Sequence, residues 1–213
     1  MGISVMDSKL AELAELISAW PGLVSGPAEE LIEDCLVLVD HVGDARTLVD
    51  VGSGGGLPGL PLKIARPELE VTLIEADQAK AAFLVQATAR LALSGVEVIA
   101  ARAEEAGQDP RCRERFDVAV ARALAPMRVL VELCLPFVRV GGRLLAQKTE
   151  SDDVVAAEHA IEVLGGGRAV VYAAPSAARS RGTVVMVPKL GPTPAAYPRR
   201  AGVPVRKPLE GPG

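Results

Sequence analysis

The sequence predicts an α/β fold in which a seven-stranded, mostly parallel sheet carries helices on both faces. From residue 47 onward, short apolar runs alternate with longer amphipathic stretches, a pattern typical of parallel sheets. Runs such as residues 118–120 are apolar at every position, which indicates burial on both sides of a sheet. A glycine-rich segment, residues 52–56, directly follows the first run. We therefore expect a ligand-binding turn at the end of the first strand.

Two helices are predicted ahead of the sheet. In residues 8–20, leucine and isoleucine recur along one helical stripe until Pro21 and Gly22 end the pattern. Residues 28–41 show a similar apolar stripe. Residues 1–45 are therefore expected to form an N-terminal helical extension.

The remaining elements follow in regular order. The predicted strands are residues 47–51, 71–75, 96–101, 116–121, 143–147, 169–173 and 183–188. The predicted helices between them are residues 57–66, 77–93, 126–138 and 152–164. The last two strands lie too close together for a crossover helix, so we expect them to pair antiparallel. Because no linker or repeat interrupts the pattern, we expect one domain (1–213), with a core of residues 46–190 and a basic, proline-rich tail of residues 191–213.

The composition excludes several classes of protein and site. A hydrophobic fraction of 49% with 23% charged residues predicts a folded chain. The three cysteines, Cys35, Cys112 and Cys134, are scattered and form no CxxC pair, and only two histidines are present, so neither disulfides nor a metal site is expected. No apolar run reaches the roughly 20 residues of a membrane span. Asp7 and Glu12 stand where a secretion signal would be basic and then apolar, so we expect a cytoplasmic protein.

The glycine-rich turn carries the strongest ligand signal. In the register of the strand, Asp50 precedes glycines at alternate positions 52, 54 and 56, and glycine lets the backbone approach a ligand closely. A dinucleotide would need an uncluttered helix N-terminus for its pyrophosphate, which a strand-end acid repels. The same acid suits the cationic methionine portion of S-adenosylmethionine, although a plain tight turn is the alternative. The candidate cofactor-binding residues here are Asp50, Gly52, Ser53, Gly54 and Gly56.

Five strand–helix units that end in an antiparallel pair are typical of class I, Rossmann-like S-adenosylmethionine-dependent methyltransferases. In that topology Glu75, followed by Ala76, ends the second strand at the place where an acid accepts hydrogen bonds from ribose hydroxyls. Ala103 and Glu104 follow the third strand, where the turn flanks the adenine. Each acid is alternatively a helix-start residue favoured by the helix dipole.

The end of the fourth strand is where acceptor chemistry is expected. An Asn/Asp-Pro-Pro-aromatic motif of amino methyltransferases is absent there, and no cysteine is placed for pyrimidine C5 chemistry. Arg122 remains. An acceptor such as guanine N7 needs no base before attack, so catalysis would depend on positioning, and Arg122 could hold a cofactor carboxylate or an RNA phosphate. Alternatively, Arg122 saturates strand-end carbonyls or pairs with Glu104.

Several segments resemble the RsmG (GidB) family of bacterial 16S rRNA guanine-N7 methyltransferases. They are VDVGSGGGLPGLPLKIARPELEVTLIEA, ARAEEA, AVARALAP, LPFVRVGGRLLAQK and YPRRAGVPVRKPL, and the similarity runs over residues 30–209. The resemblance implies S-adenosylmethionine as cofactor and a guanine in the decoding-region loop of 16S rRNA, naked or in the small subunit, as substrate. It places Gly52 and Leu57 at the cofactor turn, Ala103 and Glu104 at the adenine turn, and Arg122 as the catalytic arginine at the strand end.

The resemblance also implies an RNA-binding surface. Its basic candidates are Lys80, Arg102, Lys148, Arg181, Arg199 and Arg200. The net charge of −4 does not favour RNA binding, but the stretch 197–208 carries four cations and no acid, and such a patch acts locally. We expect a monomer without membrane contact.

The chain departs from the family pattern in places that bear on the substrate. The N-terminal region is short and lacks an Asn-Leu-Thr segment, and Ala82 stands where a further arginine is common. Fewer cations would weaken phosphate binding. Two alternatives therefore stay open, a methyltransferase acting on a small molecule or protein and a cofactor-binding paralogue without efficient catalysis, with a dehydrogenase as a more remote one.

Overall fold

The structure is a computed structural model that describes residues 5–149 and 153–211. The predicted first residue of the helix 152–164 lies outside the described residues, as do the outer ends of the N-terminal extension and the tail. In the described part of the chain, no helix is both long and apolar enough to span a membrane.

Helices and strands alternate in the predicted order. The helices are α1 (Val5–Ser18), α2 (Ala28–Leu36), α3 (Val39–Val42), α4 (Gly59–Ala65), α5 (Gln78–Arg90), α6 (Ala103–Ala106), α7 (Met127–Cys134), α8 (Asp153–Ala156), α9 (Glu158–Val163) and α10 (Val203–Arg206). The strands are β1 (Thr47–Val51), β2 (Glu70–Glu75), β3 (Val96–Ala100), β4 (Phe116–Arg122), β5 (Val138–Lys148), β6 (Val170–Ala173) and β7 (Thr183–Pro188). A 3₁₀ turn, Leu135–Phe137, joins α7 to β5.

The seven strands form one sheet in the order β3-β2-β1-β4-β5-β7-β6. The pairs among β1 to β5 are parallel, and β7 runs antiparallel to both β5 and β6. The mostly parallel sheet and the antiparallel final pair are thus confirmed. Because the chain runs outward from β1 to β3 and then returns to β4, the carboxyl ends of β1 and β4 form a topological switch point, the usual ligand position in such sheets.

The apolar core has one layer on each face of the sheet. Successive residues of β1 show the alternation, since Leu48 packs in the layer that contains Phe83 while Val49 packs in the layer that contains Phe137. Helices α1, α2, α4 and α5 contribute to the first layer, and α7 and α9 contribute to the second. The N-terminal extension is therefore part of the helical cover of the sheet, because Leu13 and Ile17 of α1 are buried in the first layer.

Two predicted helices are divided in the structure, and a third ends early at a proline. The predicted helix 28–41 becomes α2 and α3, and the predicted helix 152–164 is divided into α8 and α9 at Ala157. The predicted helix 126–138 ends at Cys134, because Pro136 cannot donate a helical N–H.

Strand β5 begins at Val138, earlier than the predicted 143. A Cβ on Gly142 would lie 2.5 Å from the carbonyl oxygen of Asp117. The glycine therefore lets β5 approach β4 closely beside the register shift at Phe116 and Val118, so that the glycine pair lies within the strand instead of preceding it.

Candidate active site

A cavity of about 580 Å³ opens at the carboxyl ends of the central strands. The glycine turn, the end of β2, the segment 101–104 and the strand end 122–124 line it, and the segment 22–25 closes one side. This volume lies within the range of small-molecule sites. The cavity thus occupies the topological switch point and brings together most of the predicted cofactor residues.

The backbone of the glycine turn is held against the neighbouring strand. The N–H groups of Gly52 and Ser53 both donate to the carbonyl of Ile74, at 2.9 and 3.0 Å. Gly52 and Gly54 have φ values of +73° and +53°, a region that favours glycine. A Cβ on Gly54 would meet no atom closer than 4.0 Å, so the space above this residue is open for a ligand.

Asp50 lies beneath the turn and does not line the cavity. Its carboxylate is fully buried and accepts the N–H of Gly59 at 2.9 Å, while its Oδ1 atom has no hydrogen-bond partner among the described residues. Burial raises the pKa of Asp50 to about 7, against the opposing hydrogen bond from Gly59. The structure therefore does not place the Asp50 carboxylate in the cavity, where the sequence analysis expected it to face a cationic methionine portion, because the carboxylate points to the start of α4.

Glu75 connects the end of β2 to the turn. Its Oε2 atom accepts the N–H of Gly54 and its Oε1 atom accepts the N–H of Asp77, both at 2.8 Å. The carboxylate forms part of the cavity wall together with Ala76. Because each carboxylate oxygen can accept more than one hydrogen bond, Glu75 can hold the turn and still accept hydrogen bonds from hydroxyl groups of a ligand.

Glu104 also lines the cavity but has partners of its own. It is buried and accepts the N–H of Gly202 at 2.7 Å and a guanidinium N–H of Arg102 at 3.1 Å. Burial alone would raise its pKa, but these hydrogen bonds lower the pKa below its usual value. Glu104 therefore stays ionised and attaches the C-terminal tail to the cavity wall next to Ala103.

Arg122 lines the cavity at the end of β4. Its Nε donates to the carboxylate of Asp34 at 3.3 Å, so the predicted alternative of pairing with Glu104 is wrong. Asp34 is not among the site residues predicted from the sequence. The available signal was an acid on the apolar stripe of a predicted helix, between Leu31 and Cys35, since a buried acid needs a partner.

The residues present fit S-adenosylmethionine. The glycine turn offers an open backbone cradle at Gly54, Glu75 can accept hydroxyl groups, and Arg122 places a cation in the same cavity. The described residues contain no group of three or more His, Cys, Asp or Glu that could hold a metal ion.

Residues 26–180 match the family model described as rRNA small subunit methyltransferase G (GidB). The chain belongs to this family. It is 44% identical over 178 residues to "Ribosomal RNA small subunit methyltransferase G" of Moorella thermoacetica, covering 82% of this chain and 74% of the relative. It is 49% identical over 164 residues to the protein of the same name from Roseiflexus castenholzii, covering 76% and 70%.

Solved structures show the same fold at low sequence identity. The O-methyltransferase TomG from Streptomyces achromogenes, in complex with SAM, matches with a TM-score of 0.58 and 17% identity, covering 87% of this chain and 91% of TomG. A SAM-dependent O-methyltransferase from Thermotoga maritima matches with a TM-score of 0.57 and 13% identity, covering 89% and 72%. The fold is thus that of the class I methyltransferases, and this member of the GidB family is an S-adenosylmethionine-dependent methyltransferase.

The basic residues of this GidB-family chain have different surroundings. Lys80 and Arg102 line the cavity. Lys148 lies beside the strand end, where its Nζ donates to the carbonyl of Ala125 at 3.1 Å. Arg181 is exposed in the connection between β6 and β7. These four predicted RNA-contacting residues therefore lie at the cavity or on exposed or partly exposed surface.

The two arginines of the tail differ sharply. Arg199 donates from Nε and Nη2 to the two carboxylate oxygens of Glu132, at 2.8 and 2.6 Å, and Glu132 is fully buried. Arg200 is exposed. Neutralisation of a buried acid accounts for Arg199 without RNA, whereas Arg200 has no acidic partner within the described part of the chain and exposes its charge.

Proposed function

We propose that this enzyme transfers a methyl group to N7 of a guanine in the decoding-region loop of 16S rRNA. The observation that carries the acceptor assignment is the strand end beside the glycine turn, which offers Arg122, Ala123 and Leu124 and no side chain that accepts a proton. Guanine N7 attacks through a lone pair and loses no proton. Membership of the GidB family supports ribosomal RNA as the substrate class.

The cavity residues divide the cofactor among them. The backbone at Gly52 and Gly54 lies against its methionine portion, Glu75 accepts its ribose hydroxyls, and Ala103 flanks its adenine. The guanidinium of Arg122 holds the methionine carboxylate by charge-assisted hydrogen bonds. When bound, S-adenosylmethionine supplies an electrophilic methyl group, and the protein's contribution is alignment of that group with the guanine.

The RNA lies across the mouth of the cavity. Lys80 and Arg102 stand at the cavity wall, and Lys148, Arg181 and Arg200 extend the basic surface around it. Arg199 is left out because Glu132 neutralises it. Ribosomal RNA as substrate places the enzyme in the cytoplasm, where we expect it to act as a monomer.

The test is transfer of radiolabelled methyl groups to small-subunit particles and to naked rRNA that both lack the modification, followed by N7-specific strand cleavage. We expect a single cut. The Arg122→Ala variant should reduce kcat/KM by about 100-fold and keep its fold, because Asp34 retains Arg179 as a partner. Arg139→Ala, at the opposite end of the sheet, is the matched control and should remain active.

No incorporation into either RNA form would contradict the rRNA assignment. The substrate would then be a small molecule or protein, or the chain would bind the cofactor without efficient catalysis. Incorporation without an N7-specific cut would retain RNA as substrate and contradict the assignment of the acceptor atom.

A further inference from the structure

We propose that Asp34 is a positioning residue that orients Arg122 toward the methionine carboxylate of the cofactor, an inference that rests on the role of Arg122 in the proposed function. Asp34 belongs to α2, in the N-terminal extension, and is fully buried. It is outside the lining of the cavity and is 88 residues from Arg122 in sequence. The contact therefore connects the extension to the cavity only through the fold.

Three side chains converge on the Asp34 carboxylate. Arg179 donates from Nε to both carboxylate oxygens, at 2.9 and 2.8 Å. The hydroxyl of Ser176 donates to Oδ1, and Nε of Arg122 donates to Oδ2 at 3.3 Å. Burial would raise the pKa of Asp34, but the hydrogen bonds from Arg179 and Ser176 lower it. Arg179 and Ser176 therefore keep the Asp34 carboxylate ionised and fixed in position even without the contact from Arg122.

Arg179 anchors this acid to the sheet. Its Nη1 donates to the carbonyls of Lys148 and Thr183, which end β5 and begin β7. Arg179 also supplies the charge that neutralises Asp34. Since two guanidinium groups share one carboxylate, a positive charge remains over, and Arg122 carries it into the cavity.

The contact with Asp34 leaves the two terminal nitrogens of Arg122 available to a ligand. Only its Nε is bonded within the described part of the chain, and the side chain is 17% exposed in the cavity. A guanidinium held through Nε keeps both terminal nitrogens for a bidentate carboxylate. The neighbouring Leu124 reaches over the glycine turn, because a Cβ on Gly52 would lie 2.5 Å from its Cδ1 atom. Arg122, Leu124 and the glycine turn thus line the same cavity, in which the proposed function places the methionine portion.

The test compares two ligands that differ in the amino acid portion. Dissociation constants of S-adenosylhomocysteine and of 5′-methylthioadenosine, which lacks the carboxylate, are measured by calorimetry for each variant. A general loss of structure weakens both ligands alike, whereas misplacement of Arg122 weakens only S-adenosylhomocysteine. We expect Asp34→Asn to lower the preference for S-adenosylhomocysteine by about 10-fold, and Arg122→Ala to lower it by about 10- to 100-fold.

Asp117→Asn is the matched control. Asp117 lies at the other end of β4 and accepts from Arg139 at 2.7 Å and from the N–H of Thr47 at 2.9 Å, so this variant also removes a paired acid, but far along the strand from Arg122. Its ligand preference should stay at the wild-type value. If Asp34→Asn does not fold, Arg122→Lys replaces it, because lysine cannot both pair with Asp34 and present a fork, and it should lose as much preference as Arg122→Ala.

The outcomes separate the two proposals. A normal preference in Arg122→Ala would overturn the carboxylate role of Arg122, and a raised KM for RNA in that variant would assign its charge to a phosphate. A reduced preference in Arg122→Ala with a normal one in Asp34→Asn, or in Arg122→Lys, would overturn only the positioning role of Asp34.

Discussion

The glycine turn lines the cavity, and the C-terminal tail, residues 191–211, contacts Glu104 of the cavity wall, but the two segments are held in different ways. The hydrogen bonds around the turn join residues that are close in sequence. Gly59 donates to Asp50, nine residues away, and Gly54 donates to Glu75, 21 residues away. From Pro194 onward, the hydrogen bonds between the tail and the rest of the described chain span 67 to 98 residues. A turn of the first kind is visible in its own sequence, whereas the conformation of the tail depends on what the rest of the chain offers.

The tail is bound mainly through its backbone by side chains of the body. Arg113 donates to the carbonyls of Thr193, Pro194 and Tyr197, and Gln108 donates to that of Pro198 at 2.9 Å. A proline-rich segment has few N–H donors of its own, so its carbonyls need donors from elsewhere. The predicted basic, proline-rich tail is thus a docked segment that contains α10.

The largest effects are expected at two glycines that follow β1 and are required for different reasons. A Cβ on Gly59 would lie 2.6 Å from Leu73 and 2.8 Å from the carboxylate of Asp50. Gly59→Val should therefore lower the free energy of unfolding by about 3 kcal/mol or more. Gly54→Ala meets only the strain of its positive φ, about 1 kcal/mol, but places a methyl group in the ligand's space.

Urea unfolding and S-adenosylhomocysteine binding check this pair. Gly54→Ala should remain folded and lose affinity, while Gly59→Val should lose stability first. Normal binding by Gly54→Ala would remove this glycine from the cofactor cradle.

Among the contacts that hold the tail, the one removed by Glu132→Ala on α7 should have the next largest effect. The substitution removes the acid that receives the backbone and side chain of Arg199. Breaking a buried pair leaves a charge without its partner, but Arg199 can reach solvent, so we expect a loss of about 2 kcal/mol. Urea unfolding with limited proteolysis of the tail measures it. Glu105→Ala, an exposed acid on α6, is the control, and equal tail cleavage in both variants would contradict the docking role of Glu132.

The pH dependence of stability tests the buried acid beneath the turn. Because the pKa of Asp50 is raised to about 7, the folded protein keeps a proton that the unfolded chain releases above pH 4. This contribution is present at low pH and is lost as pH rises toward 7, by at most about 1.4 kcal/mol per pH unit.

Asp50→Asn should remove that slope when unfolding is measured between pH 4.5 and 8. Asp117 acts in the opposite sense. Burial would raise its pKa, but hydrogen bonds, chiefly from Arg46 and Thr47, lower it to about 2. Its stabilising contribution is therefore lost only in more acidic solution. A slope that persists in Asp50→Asn would place the responsible group elsewhere.

The smallest effect concerns the charge of the tail on RNA. Arg200→Ala should weaken RNA binding uniformly and reduce the slope of log affinity against log salt by about 1, without changing Tm. Arg199→Ala should instead lower Tm through Glu132. An unchanged salt slope in Arg200→Ala would exclude this part of the tail from the RNA surface.

The sequence by itself determined the parts of the protein that depend on near neighbours. Short apolar runs predicted the seven strands, and in central strands such as β1 and β4 that pattern reflects burial on both faces of the sheet. Glycines at alternate positions after β1 predicted the turn, because a positive φ at Gly52 and Gly54 is a local demand. The resemblance to the GidB family was confirmed, as its motifs are contiguous stretches of sequence.

Only the tertiary structure decided which distant polar side chains meet. Asp34 and Arg122 are 88 residues apart, and Glu132 and Arg199 are 67 apart. The local sequence around one member of each pair therefore does not predict the other member. The same holds for Asp50, whose carboxylate could face the cavity or α4 until the packing of Gly59 is known. A buried charge requires a partner, which a sequence can announce, but the fold alone brings that partner within hydrogen-bonding distance.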